Sequence, residues 1–222
     1  MKIVSWNCHG KFREKQEIIR SLDADIYVIQ ECENPQKYHS RFSSFNTVLW
    51  CGEQDSRGLG IFSDHNIVLK KNPWENYYLR NFLSVRVNDS FDLLGVWACS
   101  PYIEEYFIYQ AIHFHQYNSE MVIIGDFNSN TKWDRKHGLR NHSAAVKQLE
   151  TRGLVSAYHY LSHEPQGMET KNTFYLRYNP DLGHYIDHCF ISPHKLTAFT
   201  VLDEPDIWLK YSDHMPLVLE FK

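Results

Sequence analysis

The stretch MVIIGDFNSN, residues 121–130, decides how the chain is read. Four apolar residues, Met121 to Ile124, run into Gly125, and Asp126 and Asn128 then alternate with Phe127. A short apolar run that ends in Gly and Asn reads as a buried strand. Side chains alternate in direction along a strand, so Asp126 and Asn128 face one way and Phe127 the other. The run therefore delivers a carboxylate and an amide together, at the end of a buried element.

The same device recurs along the chain. KIVSW runs into Asn7, and DIYVIQ runs into Glu31. Two other runs do the reverse: Asp187 lies near the start of YIDHCFIS, and Asp213-His214 precede PLVLEF. If the first three strands point toward one edge of a sheet and the last two point away from it, all these groups meet there. Mixed or antiparallel sheets supply that arrangement. Further strand-like runs are GLGIFS, FLSVRV, FDLLGVWA, NTFYL and FTVLD.

Helical windows are fewer. KFREKQEIIRSLD places Ile18, Ile19 and Leu22 on one face. EEYFIYQAIHFHQYN places Phe107, Ala111 and Phe114 on one face, with Ile108 and Ile112 beside them. SAAVKQLETRG ends on Gly153, a C-cap residue. Many strands and few helices give an α+β fold rather than a doubly wound parallel sheet. A chain of 222 residues fits one domain over 1–222.

The formal net charge of −4 provides no global basic field to attract nucleic acid. Five scattered cysteines without a CxxC pair indicate reduced thiols in a cytoplasmic protein. The sequence shows no membrane span, no amphipathic membrane helix and no obligate protein partner. Two polar loops stand out, NSNTKWDRKHGLRNH at 128–142 and SHEPQGMETKN at 162–172. The first holds Lys132, Arg135, Lys136 and Arg140, the densest cationic stretch of the chain. It is either a solvated loop or a phosphate contact.

Each acid at a strand end, taken alone, is an ordinary turn residue. Three or four together with two amides and a histidine repel one another unless a cation sits among them. The set is rich in oxygen and free of thiolate, which favours a hard ion, Mg2+ or Mn2+.

Five segments resemble, in order, the motifs of the endonuclease/exonuclease/phosphatase superfamily: SWNCHG, VIQECE, IIGDFNSN, NTFYL with YIDHCFIS, and YSDHMPLVLEF. The resemblance spans nearly the whole chain. It implies two packed mixed β-sheets flanked by helices, a four-layer α/β/β/α sandwich with the site at one edge. It implies metal ligation by Glu31, Asn7 and Asp213. Asp126 would orient or deprotonate the attacking water, and Asn128 would position it. His214 would contact the phosphate, and Asp187 would hold the His214 ring.

The chain departs from the family pattern in three places. GVWACSPYIEEY lacks the usual phosphate-contacting His, for which Tyr102 is the available substitute. Tyr185 stands where an Arg is usual, and His188 where a Tyr is usual. His188 reads as a buried, satisfied histidine. Ser-Asp-His occurs twice, and only Ser212-Asp213-His214 has the family's following x-Pro and apolar run. Ser63-Asp64-His65 reads as a turn between strands. Cys8 and Cys32 read as packing residues.

The expected activity is that of a magnesium-dependent phosphodiester hydrolase, a nuclease on DNA or RNA. Lys132, Arg135, Lys136 and Tyr102 would contact the backbone of the nucleic-acid substrate. The alternatives are a phosphatase or phosphodiesterase acting on a small phosphorylated molecule or lipid headgroup, and a non-catalytic binding protein.

Overall fold

The computed structural model describes residues 1–64 and 66–222. Fourteen strands are present among these residues: β1 (Lys2–Asn7), β2 (Ile26–Cys32), β3 (Thr47–Gln54), β4 (Arg57–Ser63), β5 (Leu69–Lys71), β6 (Phe82–Val87), β7 (Phe91–Trp97), β8 (Val122–Asp126), β9 (Val155–Ser156), β10 (Phe174–Tyr175), β11 (Gly183–His184), β12 (Asp187–Ile191), β13 (Leu196–Val201) and β14 (Leu217–Phe221). The helices are α1 (Phe12–Arg20), α2 (His39–Phe42), α3 (Ile103–His113), α4 (Asp134–His137), α5 (His142–Glu150), α6 (Ala157–Ser162) and α7 (Pro205–Trp208). None is long and apolar enough to cross a membrane.

The strands build two six-stranded sheets, ordered β13-β14-β1-β2-β4-β3 and β5-β6-β7-β8-β12-β9, and a separate β10–β11 pair. The β1–β2 and β7–β8 pairings are parallel and the others antiparallel. Period-two burial packs the sheets face to face. Val122, Ile124, Cys189 and Ile191 point into the core between the sheets. Ile123, Phe127 and Phe190 point outward, into a second core covered by α3 and α5. The result is the helix-flanked sandwich of mixed sheets.

Register brings the marked strand ends together. β1 and β2 run side by side to Asn7 and Glu31. Asp126 at the end of β8 faces Asp187 at the start of β12. β14 runs antiparallel to β1, with Leu217 opposite Ser5, so His214 enters beside Asn7.

The α3 face differs from the sequence expectation. The helix buries Ile103, Tyr106, Tyr109 and His113, while Ala111 and Ile112 are exposed and Phe107 and Phe114 are only partly covered. The helix is apolar nearly all round, so periodicity alone does not choose a face. The tyrosines win because each ring buries a large area. The edge strand β3 carries no clear alternation in its sequence and is absent from the strand-like runs above.

Candidate active site

Local backbone geometry aims each group. Gly125 sits at φ 151°, and a Cβ there would lie 2.0 Å from the Val96 carbonyl oxygen, so only glycine lets β8 approach β7 closely enough to deliver Asp126. Glu31 adopts φ 58° where the β2–β4 register shifts between Gln30 and Cys32. This bulge re-aims its side chain, as bulges beside functional sites do. Asn128 sits at φ 48°. Its N–H and Nδ2 donate to the two oxygens of Asp126 at 2.8 and 2.9 Å.

At the centre, the Asn7 amide bridges two carboxylates, with Nδ2 3.2 Å from Glu31 Oε1 and 3.0 Å from Asp126 Oδ2. Its oxygen accepts the His9 N–H at 3.1 Å. His214 Nδ1 donates to Asp187 at 2.9 Å, leaving Nε2 3.9 Å from Asp126 Oδ2. The ring of Phe174 lies 4.8 Å from that of His214, and Trp6 Nε1 donates to the His214 carbonyl at 2.9 Å. Ser212 Oγ donates to the Asn7 carbonyl at 2.6 Å and accepts the His214 N–H at 3.1 Å, tying β1 to the last motif. Thr173 Oγ1 accepts the Ile186 and Asp187 N–H groups at 2.9 and 3.0 Å.

The electrostatics follow from burial. Desolvation, with the Asp187 charge beside it, pushes the Asp126 carboxyl up to about 7. Burial by itself would lower the His214 pKa, but Asp187 and then Asp126 outweigh it and raise it to about 10. Asp126, Asp187 and His214 each offer a ligand atom within 4.8 Å of the others. A buried carboxyl held this far above its ordinary range, in a cage of oxygen donors, marks a place where a cation would relieve repulsion. The donor set fits a hard divalent ion.

The structure thus brings together Asn7, Glu31, Asp126, Asn128, Asp187 and His214. Asp213 stands at the rim, paired with His9 Nδ1 at 3.1 Å. Lys132, Arg135 and Lys136 are exposed on the turn-rich segment after β8. Trp133 there meets His184 edge-on at 5.4 Å. Tyr102 is half-exposed at φ 61°, and among the described residues no hydrogen bond links its side chain to the central cluster. His188 is buried, points away from Asp187 and bonds the Ser129 carbonyl through Nε2 at 2.9 Å. Cys8 and Cys32 are buried, and burial raises both thiols.

Three residues at the site were not read from the sequence. Arg57, at the start of β4, lies 3.0 Å from Glu31 Oε2. His9 pairs with Asp213. Glu33 accepts from the Phe12 and Arg13 N–H groups at 2.7 and 3.0 Å and so fixes the start of α1 against β2. The spacing of His9 from Asn7 gave a signal, since both sit in SWNCHG. Arg57 gave none, because its contact depends on the bulge.

Comparison with known proteins places these residues in context. The chain matches the model of the Endonuclease/Exonuclease/phosphatase family over residues 4–214. No curated protein matches it. Among solved structures it is similar to a 3′-5′ exonuclease, NExo, from Neisseria meningitidis, with TM-score 0.72, 17% identity and 100% of each chain covered. It is similar to the 3′ phosphatase NExo from Neisseria bound to a product DNA hairpin, with TM-score 0.71, 19% identity, and 100% of this chain and 99% of that one covered. An AP endonuclease from Archaeoglobus fulgidus gives TM-score 0.70 at 18% identity, covering 100% of this chain and 99% of its own.

Proposed function

Because the chain belongs to the endonuclease/exonuclease/phosphatase family, whose members hydrolyse phosphoric esters, we propose that it is a divalent-cation-dependent nuclease acting on DNA or RNA. The observation that carries this reading is the buried meeting of Asp126, Asp187 and His214 at one sheet edge, bridged to Glu31 through Asn7. The structural neighbours include a 3′ phosphatase bound to a product DNA hairpin, which favours a nucleic-acid substrate over a lipid headgroup.

Glu31 is the principal cation ligand in this reading, with Asp213 and Asn7 beside it. Asn7 presents its NH2 to both carboxylates, so it also holds Glu31 and Asp126 in register. When bound, a magnesium or manganese ion would neutralise the non-bridging phosphate oxygens and stabilise the leaving alkoxide. Asp126 orients the attacking water, and its raised pKa suits it to take up a proton near neutral pH. Asn128, fixed by its two hydrogen bonds to Asp126, positions the same water. Asp187 accepts from Nδ1 of His214, which leaves Nε2 to donate to a phosphate oxygen. The elevated His214 pKa keeps that ring charged and electrophilic at neutral pH.

The backbone-contacting residues in this reading are Lys132, Arg135 and Lys136, with Tyr102 in the loop after β7. The protein is net acidic, so these local cations and the bound ion must supply the attraction for phosphate. The test is a substrate panel with purified protein and magnesium: plasmid, single-stranded DNA, RNA, a 3′-phosphorylated oligonucleotide and a soluble inositol phosphate. Cleavage of a nucleic acid is expected. Turnover of the inositol phosphate alone overturns the nuclease reading.

A further inference from the structure

The loop between β5 and β6 carries a feature that the hydrolytic centre does not use. Tyr77 and Tyr78 are 67% and 99% exposed and occupy the two corners of a turn closed by the Leu79 N–H on the Asn76 carbonyl at 2.8 Å. Tyr77 sits at φ 53°. Glycine is the ordinary occupant of a turn corner with this backbone, and a bulky residue there is strained. Strain retained at an exposed position points to use.

The rings are held out rather than frayed. Asn76 Nδ2 donates to the Phe82 carbonyl at 2.8 Å, and the Arg80 N–H donates to Glu105 Oε1 at 2.8 Å. Leu79, the next residue, packs on the outer core. Tyr78 shares a hollow of about 480 Å³ with Arg80, Pro101 and Glu105.

The loop that carries the turn enters β6 at the catalytic edge. The Asn81 carbonyl accepts the Trp97 N–H at 3.1 Å, and Trp97 pairs with Asp126. Neighbouring strands lie about 4.8 Å apart, so Asn81, where the loop enters β6, lies about 10 Å from Asp126, two strands away. The segment after β7 joins the two, since Asn81 Nδ2 donates to Cys99 Sγ at 3.2 Å and Asn128 Nδ2 donates to the Ala98 carbonyl at 3.2 Å.

We propose that Tyr77 and Tyr78 form a stacking platform for unpaired bases of the strand whose phosphate is cut at Asp126 and His214. The proposal rests on the nuclease reading. Every base has a π-face, so stacking on paired aromatics is tolerant of sequence. It also needs no free positive charge, which suits a turn whose Arg80 is already paired with Glu105 at 3.5 Å and Glu53 at 4.0 Å. Phosphate contact falls to the cationic segment after β8 and base contact to this turn.

The test is fluorescence anisotropy with a labelled single-stranded thymidine oligonucleotide and magnesium, in an Asp126→Asn background that leaves the strand uncut. Combined Tyr77→Ala and Tyr78→Ala should weaken binding by about 10- to 100-fold. The slope of affinity against salt should stay unchanged, because every cation that meets phosphate is still in place. Tyr78→Trp should bind as the parent does. Tyr77→Gly should raise the melting temperature while weakening binding, a pairing that a purely structural role would not produce. With Asp126 intact, the double variant should hydrolyse bis(p-nitrophenyl) phosphate, too short to reach the turn, at the parent rate. Undiminished binding by the double variant overturns the platform and leaves the nuclease reading standing. A parent protein that binds no single strand but cleaves plasmid overturns the platform alone, and one that neither binds the strand nor cleaves any nucleic acid overturns both.

Discussion

Ser63-Asp64 and Ser212-Asp213 begin the same tripeptide and meet different fates. The serines do similar work. Ser63 Oγ donates to the Ile67 carbonyl at 2.8 Å and accepts the Thr47 N–H at 3.1 Å. Ser212 Oγ links Asn7 to His214 in the same way. The aspartates part company. Asp64 takes a two-point contact from Arg20 of α1, at 3.2 and 3.1 Å. Asp213 faces His9 at the rim of the carboxylate cluster. Strand direction makes the difference. β4 runs antiparallel to β2, so Ser63 lies opposite Ile26, at the far end of β2 from Glu31. β14 runs antiparallel to β1, so its entry lies beside Asn7. A tripeptide acquires chemistry from the edge at which its strand begins or ends. Ser63 closes β4 and Asp64 follows it, accepting the Ile67 N–H on its carbonyl at 3.4 Å, while His65, the other residue of the expected turn, lies outside the described residues.

The largest effect that sharpens this contrast is His214→Ala. Loss of a preorganised charge-stabilising group typically lowers turnover by ~100- to 1,000-fold. Steady-state cleavage with circular dichroism melts as the folding control should show that loss in a folded protein. Asp187→Asn comes next, at about 10- to 100-fold, the usual range for a carboxylate that orients a functional histidine. It has a second readout. The His214 pKa is raised from 6.5 to about 10, so the stability it contributes is complete below about pH 6.5 and is lost as pH rises toward about 10. Melting temperatures of the cation-free protein should fall across that window, and Asp187→Asn should flatten the fall. A slope unchanged in Asp187→Asn would break the proposed pair.

Combined Lys132→Ala, Arg135→Ala and Lys136→Ala should weaken binding to every nucleic-acid sequence alike. It should reduce the salt slope by about 2 to 3, one unit or slightly less for each phosphate no longer neutralised. Hydrolysis of a small diester should persist, and equal loss on both substrates would assign the segment to folding. The smallest effect belongs to Asp64→Ala. The pair it makes with Arg20 is partly exposed, so the cost should be about 1 kcal/mol or less, with turnover unchanged. A dead Asp64→Ala enzyme would erase the contrast between the two copies.

Much of this was legible in the sequence because the site is built at strand ends. Asn7, Glu31, Asp126, Asp187 and His214 could be placed on one edge from short apolar runs and a polarity of direction, and the family motifs fixed their order. What lay beyond reach was decided by geometry that the sequence does not mark. VIQECE holds two acids of the same parity, Glu31 and Glu33. One faces Asn7 through a left-handed bulge and the other caps α1. Nothing in the local pattern distinguishes them. Arg57 reaches Glu31 from the β3–β4 hairpin, a contact made by strand register and the bulge at Glu31. The α3 face escapes periodicity because apolar residues surround the helix, and the choice falls to the size of the tyrosine rings. Tyr77 looks like any loop aromatic in the sequence, because its left-handed backbone leaves no mark there.

In the proposed reading, the carboxylates gathered at the sheet edge act only with a cation among them. The measurement that tests it most directly is hydrolysis of a single-stranded oligonucleotide by one preparation, first as purified, then stripped with EDTA, then resupplied with magnesium. Activity should disappear on stripping and return with magnesium in the parent, and magnesium should not restore it in Glu31→Gln. Full activity in the stripped protein would contradict it.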